Sequence, residues 1–307
     1  MSEMSRALMR PRAVLTVLGV ALAVTVAPAA AARADSGQVV ITIAPGDRAA
    51  ALSYWTPERI KQQGEFDGLP PAEKIGKLWP GPVPAGVGRL FFTAVPGGDE
   101  SCTATVVPSP SQDVLFTAGH CLDGGTDRND QPITITNMVF VPGYDHGKQP
   151  HGMFAARAFA WSDTYQGPSS ALDDDGVIAV DPVGGRHVAE VAGTQDLSFD
   201  KVTGPVDTTM LGYPVSQLAH GEALVSCTRP ATLETNSAAA DWTTDCDLAG
   251  GSSGGPWLRN FDPATGKGTI YAVTSRGSMD VDGTTENLSG AELSDAVHAL
   301  YQRAGAL

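Results

Sequence analysis

From Val87 to the C-terminus the sequence consists of short apolar and β-branched runs separated by turn residues, and this texture constrains the fold more than any other feature. The clearest runs occupy residues 88–95, 102–107, 113–116, 138–141, 177–180, 208–211 and 269–274. The 35 Gly and 22 Pro, against 18% charged residues, favour turns over long amphipathic helices. Short strands at this spacing are typical of β-sandwiches and β-barrels. We therefore expect an all-β body.

One helix is predicted near the C-terminal end. Ser289 followed by Glu292 has the form of a capping box, in which the two side chains satisfy backbone amides at a helix start. The apolar residues after it recur at helical spacing; they are Leu293, Val297, Leu300 and Tyr301. We expect a closing helix at about residues 290–303, packed on the β body.

Residues 1–34 have the pattern of a secretory signal peptide. Arg6, Arg10 and Arg12 form a basic region, residues 13–26 form an apolar run, and small residues near Ala34 suit cleavage. The run is shorter than the roughly 20 residues that span a bilayer. We expect secretion, with no membrane attachment after the signal is removed.

Residues 35–87 differ in composition from the chain that follows. The stretch from Ser53 to Gly86 is rich in Pro, Lys and Glu and has no alternating apolar pattern. We predict a propeptide and linker here, followed by the main domain at residues 88–307. A disordered arm retained in the mature protein is the alternative.

The charge and the cysteines limit the partners. A formal net charge of −14 disfavours nucleic acid, because such binding depends on Lys and Arg contacts to phosphate. Cys102, Cys121, Cys227 and Cys246 allow three disulfide connectivities in an oxidising compartment. We prefer the two local pairs, Cys102–Cys121 and Cys227–Cys246, over a zinc site, because ligand spacing such as C-x-x-C is absent from the sequence. We expect a monomer without cofactor or catalytic metal; an acidic turn at residues 280–283 leaves a calcium site open.

Two motifs carry chemistry. His120 follows an apolar run and precedes Cys121, so that a local disulfide would hold the ring in one orientation. Ser253 lies among glycines in residues 250–255, where backbone amides can converge on a carbonyl oxygen. We expect Gly251 and Ser253 to donate the two hydrogen bonds of an oxyanion hole.

Residues 117–121 (TAGHC) and 251–256 (GSSGGP) resemble the trypsin/chymotrypsin family of serine peptidases, over roughly residues 88–303. The resemblance implies two packed six-stranded antiparallel β-barrels with the active site between them, and a C-terminal helix. It also implies hydrolysis of protein or peptide substrates through an acyl-enzyme, with His120 as general base and Ser253 as nucleophile.

The third catalytic residue is expected in the run Asp173, Asp174, Asp175. In the family the aspartate is followed by a variable residue, a small residue and an apolar strand. This pattern selects Asp174, with Gly176 as the small residue, and leaves Asp175 as the alternative. The carboxylate would accept the Nδ1–H of His120 and stabilise the imidazolium.

The residue before the nucleophile departs from the trypsin pattern. Ser252 stands where trypsin-type enzymes have an aspartate that pairs with a freed N-terminus. A hydroxyl cannot make that ion pair, and this feature resembles the bacterial glutamyl endopeptidase branch. We therefore expect a zymogen in which removal of the prosegment relieves occlusion.

Specificity is expected from two segments. Asp247, six positions before Ser253, matches the carboxylate that receives Lys or Arg side chains in trypsin-like enzymes and favours basic P1 residues. The strand that lines the pocket would contribute Thr274, Ser275 and Gly277. Thr274 stands where glutamyl endopeptidases have a histidine, which disfavours glutamate specificity.

Two other functions fit parts of the sequence. Residues 251–255 also satisfy the G-x-S-x-G motif of α/β-hydrolase esterases, but the order His120, Asp174, Ser253 is that of chymotrypsin-like enzymes. A catalytically inactive binding module on the same scaffold is the second alternative. Active-site labelling by a fluorophosphonate separates it from the peptidase.

Overall fold

The computed structural model describes residues 33–35, 37–65, 68–167, 172–235 and 241–307. The predicted signal peptide therefore lies outside the described residues, except for Arg33 and Ala34. Within the described ranges, the helices are all too short or too polar to cross a lipid bilayer.

Strands dominate the described part of the chain. They are β1 (Arg33–Asp35), β2 (Gln38–Thr42), β3 (Lys77–Leu78), β4 (Val87–Val95), β5 (Asp99–Val106), β6 (Val114–Thr117), β7 (Thr134–Pro142), β8 (Phe154–Ser162), β9 (Gly176–Val180), β10 (Asp196–Leu197), β11 (Val206–Gly212), β12 (Val225–Glu234), β13 (Asp241–Thr244), β14 (Pro256–Asp262), β15 (Lys267–Met279) and β16 (Thr285–Glu292). The helices are α1 (Pro45–Tyr54), α2 (Pro57–Gln62), α3 (Val188–Ala192) and α4 (Asp295–Ala304).

The first barrel has the strand order β8-β7-β4-β5-β6-β9 and is closed by antiparallel pairing of β9 with β8. Fully buried apolar side chains such as Leu90, Phe116, Phe140 and Ile178 fill it. β2 and β1 extend the sheet outward from β8. Closure removes the free strand edges that an open sheet would expose.

The second barrel has the order β15-β14-β11-β12-β13-β16 and is closed by pairing of β16 with β15. Short β3 pairs with β12, and β10 runs parallel to β15. Trp242 and Trp257 are among its largest fully buried side chains. The expectation of two six-stranded antiparallel barrels is confirmed.

The closing helix is present, but it begins later than predicted. Ser289 lies inside β16, where it pairs with Arg276 and Thr243, so the capping box assigned to Ser289 and Glu292 is wrong. The N-cap of α4 is Ser294, whose hydroxyl accepts hydrogen bonds from the amides of Ala296 and Val297. Pairing with the neighbouring strands holds Ser289 in an extended conformation. The sequence pattern alone does not show this pairing.

The segment before the barrels is folded in two parts. Residues 38–62 lie on the first barrel: β2 pairs with β8, and buried Trp55 donates its Nε1–H to the carbonyl of Asn137. Residues 77–79 lie on the second barrel, where β3 pairs with Ser226 and Val225. We call residues 68–86 the N-terminal arm. Residues 53–86 lack an alternating apolar pattern because they make short, irregular contacts, first with the first barrel and then with the second.

Both preferred disulfides are present. Cys102 is bonded to Cys121, and Cys227 is bonded to Cys246. The first joins β5 to the turn that carries His120, and the second joins β12 to the segment after β13. Each bridge therefore lies next to residues that the sequence singled out for function.

Candidate active site

His120 is placed by the end of β6 and by the first disulfide. After Thr117 the chain makes one 3-10 turn, Gly119–Cys121, and Cys121 is tied to Cys102 of the neighbouring strand. A ring nitrogen of His120 lies within 4.8 Å of both sulfurs of this bridge. The imidazole is therefore held by a covalent link on the adjacent residue, while 23% of its side chain stays exposed.

Asp174 lies directly against His120. Its Oδ2 is 2.8 Å from the Nδ1 of His120, and its Oδ1 accepts the backbone amide of His120 at 2.7 Å. The hydroxyl of Ser275 donates to the same Oδ2 at 2.5 Å. The carboxylate is 4% exposed, so these contacts fix it and the imidazole in one relative orientation.

Asp175, the alternative carboxylate, has a different environment. Its side chain is fully buried, and neither of its oxygens has a hydrogen-bond partner within the described residues. Burial, followed by the charges of Asp174 and Asp173, raises the pKa of Asp175 well above its ordinary value. The charged form of Asp175 is thus disfavoured, and it is Asp174 that faces the histidine.

Ser253 lies in the segment between β13 and β14, packed against the strand ends that carry His120. Its carbonyl accepts the amide of Thr103 at 2.8 Å, next to bridged Cys102. The following Gly254 has φ +75° and is so close to Thr117 that a side chain there would collide with it. Among the described residues no hydrogen bond joins the Ser253 hydroxyl to His120, a looseness common in unliganded active sites.

The backbone before Ser253 presents its amides outward. We call residues 247–253 the oxyanion loop. The carbonyl of Gly250 accepts the amide of Val215 at 2.6 Å. Because N–H and C=O point in opposite directions across a trans peptide, the N–H of Gly251 points away from Val215. In the described part of the chain, neither the Gly251 nor the Ser253 amide has an acceptor, so both can receive a substrate oxygen.

Ser252 closes this loop from within. It is 2% exposed, and its hydroxyl donates to the carbonyl of Ala249 at 2.7 Å. Its amide donates to the same carbonyl at 3.2 Å. The residue that lacks the trypsin-type carboxylate thus makes a local turn contact.

Thr103 supports the oxyanion loop from the first barrel, a role that the sequence did not reveal. Its hydroxyl donates to the carbonyl of Gly251 at 2.9 Å and accepts the amide of Tyr213 at 3.0 Å. Only the proximity of Thr103 to Cys102 in the sequence could have drawn attention to it, since its partners are more than a hundred residues away.

The predicted pocket residues on β15 have three different surroundings. Thr274 is buried and accepts the Nε1–H of Trp257 at 3.0 Å. Ser275 contacts the candidate catalytic carboxylate, as described above. Gly277 packs on β16, where a β-carbon would lie 2.8 Å from the carbonyl of Asn287. The exposed guanidinium of Arg276 forms an ion pair with buried Asp241.

Asp247 is not open to a substrate side chain. It is 3% exposed, and its carboxylate accepts the backbone amides of Lys74, Ile75 and Gly76 at 2.5, 2.7 and 2.7 Å. The N-terminal arm therefore occupies the position that sequence comparison assigned to a basic P1 residue. The expectation of a basic P1 preference rested on Asp247, and this placement removes its structural basis.

Solved structures resemble the chain over most of its length. Protease Anisep from Arthrobacter nicotinovorans has a TM-score of 0.64 and 26% identity and covers 76% of this chain and 100% of its own. The thermostable serine protease AL20 from an extremophilic microorganism has a TM-score of 0.63 and 27% identity and covers 72% and 97%. A Glu endopeptidase, at 19% identity, a TM-score of 0.57 and coverage of 77% and 99%, shares the fold.

Comparison by sequence finds no matching family model and no matching curated protein. The resemblance therefore rests on the two-barrel fold and on two solved serine proteases whose sequences are 26% and 27% identical to this chain. On this evidence the chain has the chymotrypsin-like fold and resembles the bacterial serine proteases.

Proposed function

We propose that this protein is a secreted serine endopeptidase in which Ser253, His120 and Asp174 form the catalytic triad. The observation that carries the proposal is the contact of Asp174 with both the Nδ1 and the backbone amide of His120, beside the bridge that ties this turn to the strand next to Ser253. The resemblance to solved serine proteases supports the reaction class.

Ser253 attacks the carbonyl carbon of the scissile peptide bond, and its hydroxyl proton passes to the Nε2 of His120. The negative oxygen that forms is stabilised by the amides of Gly251 and Ser253. His120 then gives the proton to the leaving amine, which departs and leaves an acyl-enzyme. Water, deprotonated by His120, then attacks the ester; His120 returns this proton to the Ser253 oxygen as the ester bond breaks, which releases the second product and regenerates the enzyme.

Asp174 acts through His120. Its Oδ2 stabilises the imidazolium that forms when Ser253 loses its proton. The amide of His120 and the hydroxyl of Ser275 both donate to this carboxylate and keep it aligned with the imidazole. Buried Asp175 stays out of this proton transfer, because its oxygens contact no proton donor among the described residues.

Secretion and activation are part of the same proposal. Two disulfides suit an oxidising compartment. The proposal includes removal of a prosegment within residues 35–87, as the sequence predicts. Within that range, residues 38–62 pack on the first barrel and include buried Trp55.

A fluorophosphonate probe and a casein digest test the function. Purified secreted protein should be labelled on Ser253 and should hydrolyse casein, because an activated serine is needed for both. Ser253→Ala should abolish labelling, and His120→Ala should lower it by about 10³-fold or more. Ser278→Ala, an exposed serine on β15, is the control and should keep full activity. Wild-type protein that is folded, yet neither labelled nor active, would favour a binding module.

A further inference from the structure

The N-terminal arm contacts the oxyanion loop at its first residue. Three consecutive amides, from Lys74, Ile75 and Gly76, converge on the two oxygens of Asp247. Among the described residues, no salt bridge involves this buried carboxylate, and its two oxygens are satisfied by these amides. Leaving such a carboxylate buried without them would be costly. Asp247 and the arm therefore hold each other in place.

The arm also reaches the segment that supports the loop from the other side. The hydroxyl of Ser216 donates to buried Glu73 at 2.8 Å, and the amide of Gln217 donates to the carbonyl of Pro70 at 3.1 Å. Val215, directly before them, donates its amide to Gly250. Both the start of the loop and the partner of Gly250 are consequently attached to the arm.

The arm is in turn fixed to the second barrel. Lys77 and Leu78 pair with Ser226 and Val225 of β12, and the amide of Trp79 donates to the carbonyl of Leu224 at 2.8 Å. The contacts of residues 73–76 with the oxyanion loop are thus anchored to a barrel wall. They are independent of residues 38–62, which pack on the other barrel.

We propose that the N-terminal arm is a permanent support of the oxyanion hole, and that Asp247 is a positioning residue that binds the arm instead of a basic P1 side chain. The proposal rests on the proposed peptidase function. It places the cleavage that removes a prosegment before Glu73, so that residues 73–86 stay with the catalytic body.

The first test is the N-terminal sequence of the secreted, active protein. A start at or before Glu73 supports the proposal, because all three amides that bind Asp247 are then retained. A start at any residue after Glu73 overturns it, because the mature enzyme would then lack at least one of these backbone amides. This result does not depend on the folding of any variant.

The second test compares Ile75→Pro with Ser278→Ala. Proline removes the Ile75 amide hydrogen that Asp247 accepts, whereas Ser278→Ala changes only an exposed side chain of β15. For Ile75→Pro, kcat should fall by about 10²-fold with KM changed by less than about threefold, as expected when an oxyanion donor is misplaced. Ser278→Ala should match wild type.

Asp247→Asn is the complementary variant, because it keeps the shape of the side chain and removes the charge. Its kcat should fall in the same way, and its affinity for a peptide aldehyde, which forms a tetrahedral oxyanion on the serine, should fall by a similar factor. The distribution of P1 residues in a peptide-library digest should stay as in wild type. If Ile75→Pro does not fold, Asp247→Asn decides, and the N-terminal sequence decides if neither folds.

Two outcomes of the variant tests would also overturn the inference and leave the peptidase intact. One is a selective loss of cleavage after Lys and Arg in Asp247→Asn, which would make Asp247 the P1 receptor. The other is an unchanged kcat in both variants. If wild type itself is folded and inactive, the proposed function fails instead, so the two failures are distinguishable.

Discussion

The two barrels position their residues of the candidate active site by different means. In the first barrel, His120 stands beside a disulfide and is held by Asp174, so the constraint comes from adjacent residues and one buried carboxylate. In the second barrel, Ser253 follows a loop held by hydrogen bonds from Val215, from Ser252 and from the arm. The proposed catalytic base is thus positioned by a covalent link on the adjacent residue, and the proposed oxyanion hole by polar contacts from distant segments.

This difference predicts which half of the site is easier to disturb. A hydrogen bond contributes about 1 kcal/mol net to stability. Several such bonds must form together to orient the amides of Gly251 and Ser253. A disulfide with the observed spacing contributes about 3 kcal/mol by restricting the unfolded chain. We therefore expect activity to be most sensitive to changes in the oxyanion loop, and stability to changes in the bridges.

The largest effect on activity is expected from Gly251→Ala. Gly251 has φ +93°, and a β-carbon would lie 2.5 Å from the carbonyl of Tyr213, so the backbone must move. Its amide would leave the oxyanion hole, and kcat should fall by about 10²–10³-fold, or about 3–4 kcal/mol. Steady-state kinetics on a peptide substrate measure this.

Gly250→Ala is the matched control for this change. A β-carbon on Gly250 would meet no atom within 4 Å, and its φ is not in the left-handed region. It should keep kcat within about twofold of wild type. Equal losses in the two variants would mean that the loop tolerates no added side chain at all, and the assignment of Gly251 as a donor would lose its support.

The second prediction compares the two disulfides. Both have a sequence separation of 19, so replacing either pair by alanine should lower the free energy of unfolding by about 3 kcal/mol. Below the unfolding transition, the Cys102→Ala/Cys121→Ala variant should lose about tenfold in kcat, because its bridge adjoins His120. The Cys227→Ala/Cys246→Ala variant should lose less. Denaturant unfolding and kinetics on the same samples decide, and a larger kcat loss from the second pair would reverse the comparison.

The sequence predicts features that depend on neighbouring residues better than features that depend on contacts between distant segments. The short apolar runs predict strands such as β6 and β9, which are buried along their whole length. The two barrels follow from the motif resemblance. His120 and Cys121 are adjacent, so their cooperation is visible in the sequence. The closing helix was misplaced because Ser289 and Ser294 both suit an N-cap, and only the pairing of β16 chooses between them.

The contacts of the second barrel are harder to predict, since they join residues far apart in sequence. Asp247 and Ile75 are 172 positions apart, and the arm contributes backbone amides, which any residue except proline can supply. Ser275 and Asp174 are 101 positions apart. Sequence spacing suggested a substrate role for Asp247, whereas the path of the loop after Cys246 brings it to the arm.

The third prediction concerns Asp175, the neighbour of the proposed catalytic carboxylate Asp174. Its pKa is raised in the folded state, so its contribution to stability is present at low pH and is lost as pH rises above the ordinary value of about 4 and through the folded pKa. Asp175→Asn removes this loss and should be more stable than wild type at pH 8 by about 1–3 kcal/mol.

Thermal and denaturant unfolding at pH 4 and pH 8 test the sign of this effect. The advantage of Asp175→Asn should shrink at pH 4, where the wild-type side chain is neutral as well. The kcat of the variant should stay within about threefold of wild type, since Asp175 does not contact His120. If the stability advantage of Asp175→Asn over wild type were smaller at pH 8 than at pH 4, the raised pKa of Asp175 would be contradicted.

The smallest effect is expected from Ser252→Ala. The hydroxyl of Ser252 is buried and donates to the carbonyl of Ala249, and its loss should cost about 1 kcal/mol of stability. The amide of Ser252 still donates to the same carbonyl, and Val215 still holds Gly250, so the turn should persist. We expect kcat to fall only about threefold to tenfold, measured against Ser278→Ala. Ser252→Ala leaves the contacts of the N-terminal arm unchanged. If its kcat nevertheless fell as far as that of Gly251→Ala, the Ser252 hydroxyl would contribute more than the arm to the orientation of the oxyanion-hole amides.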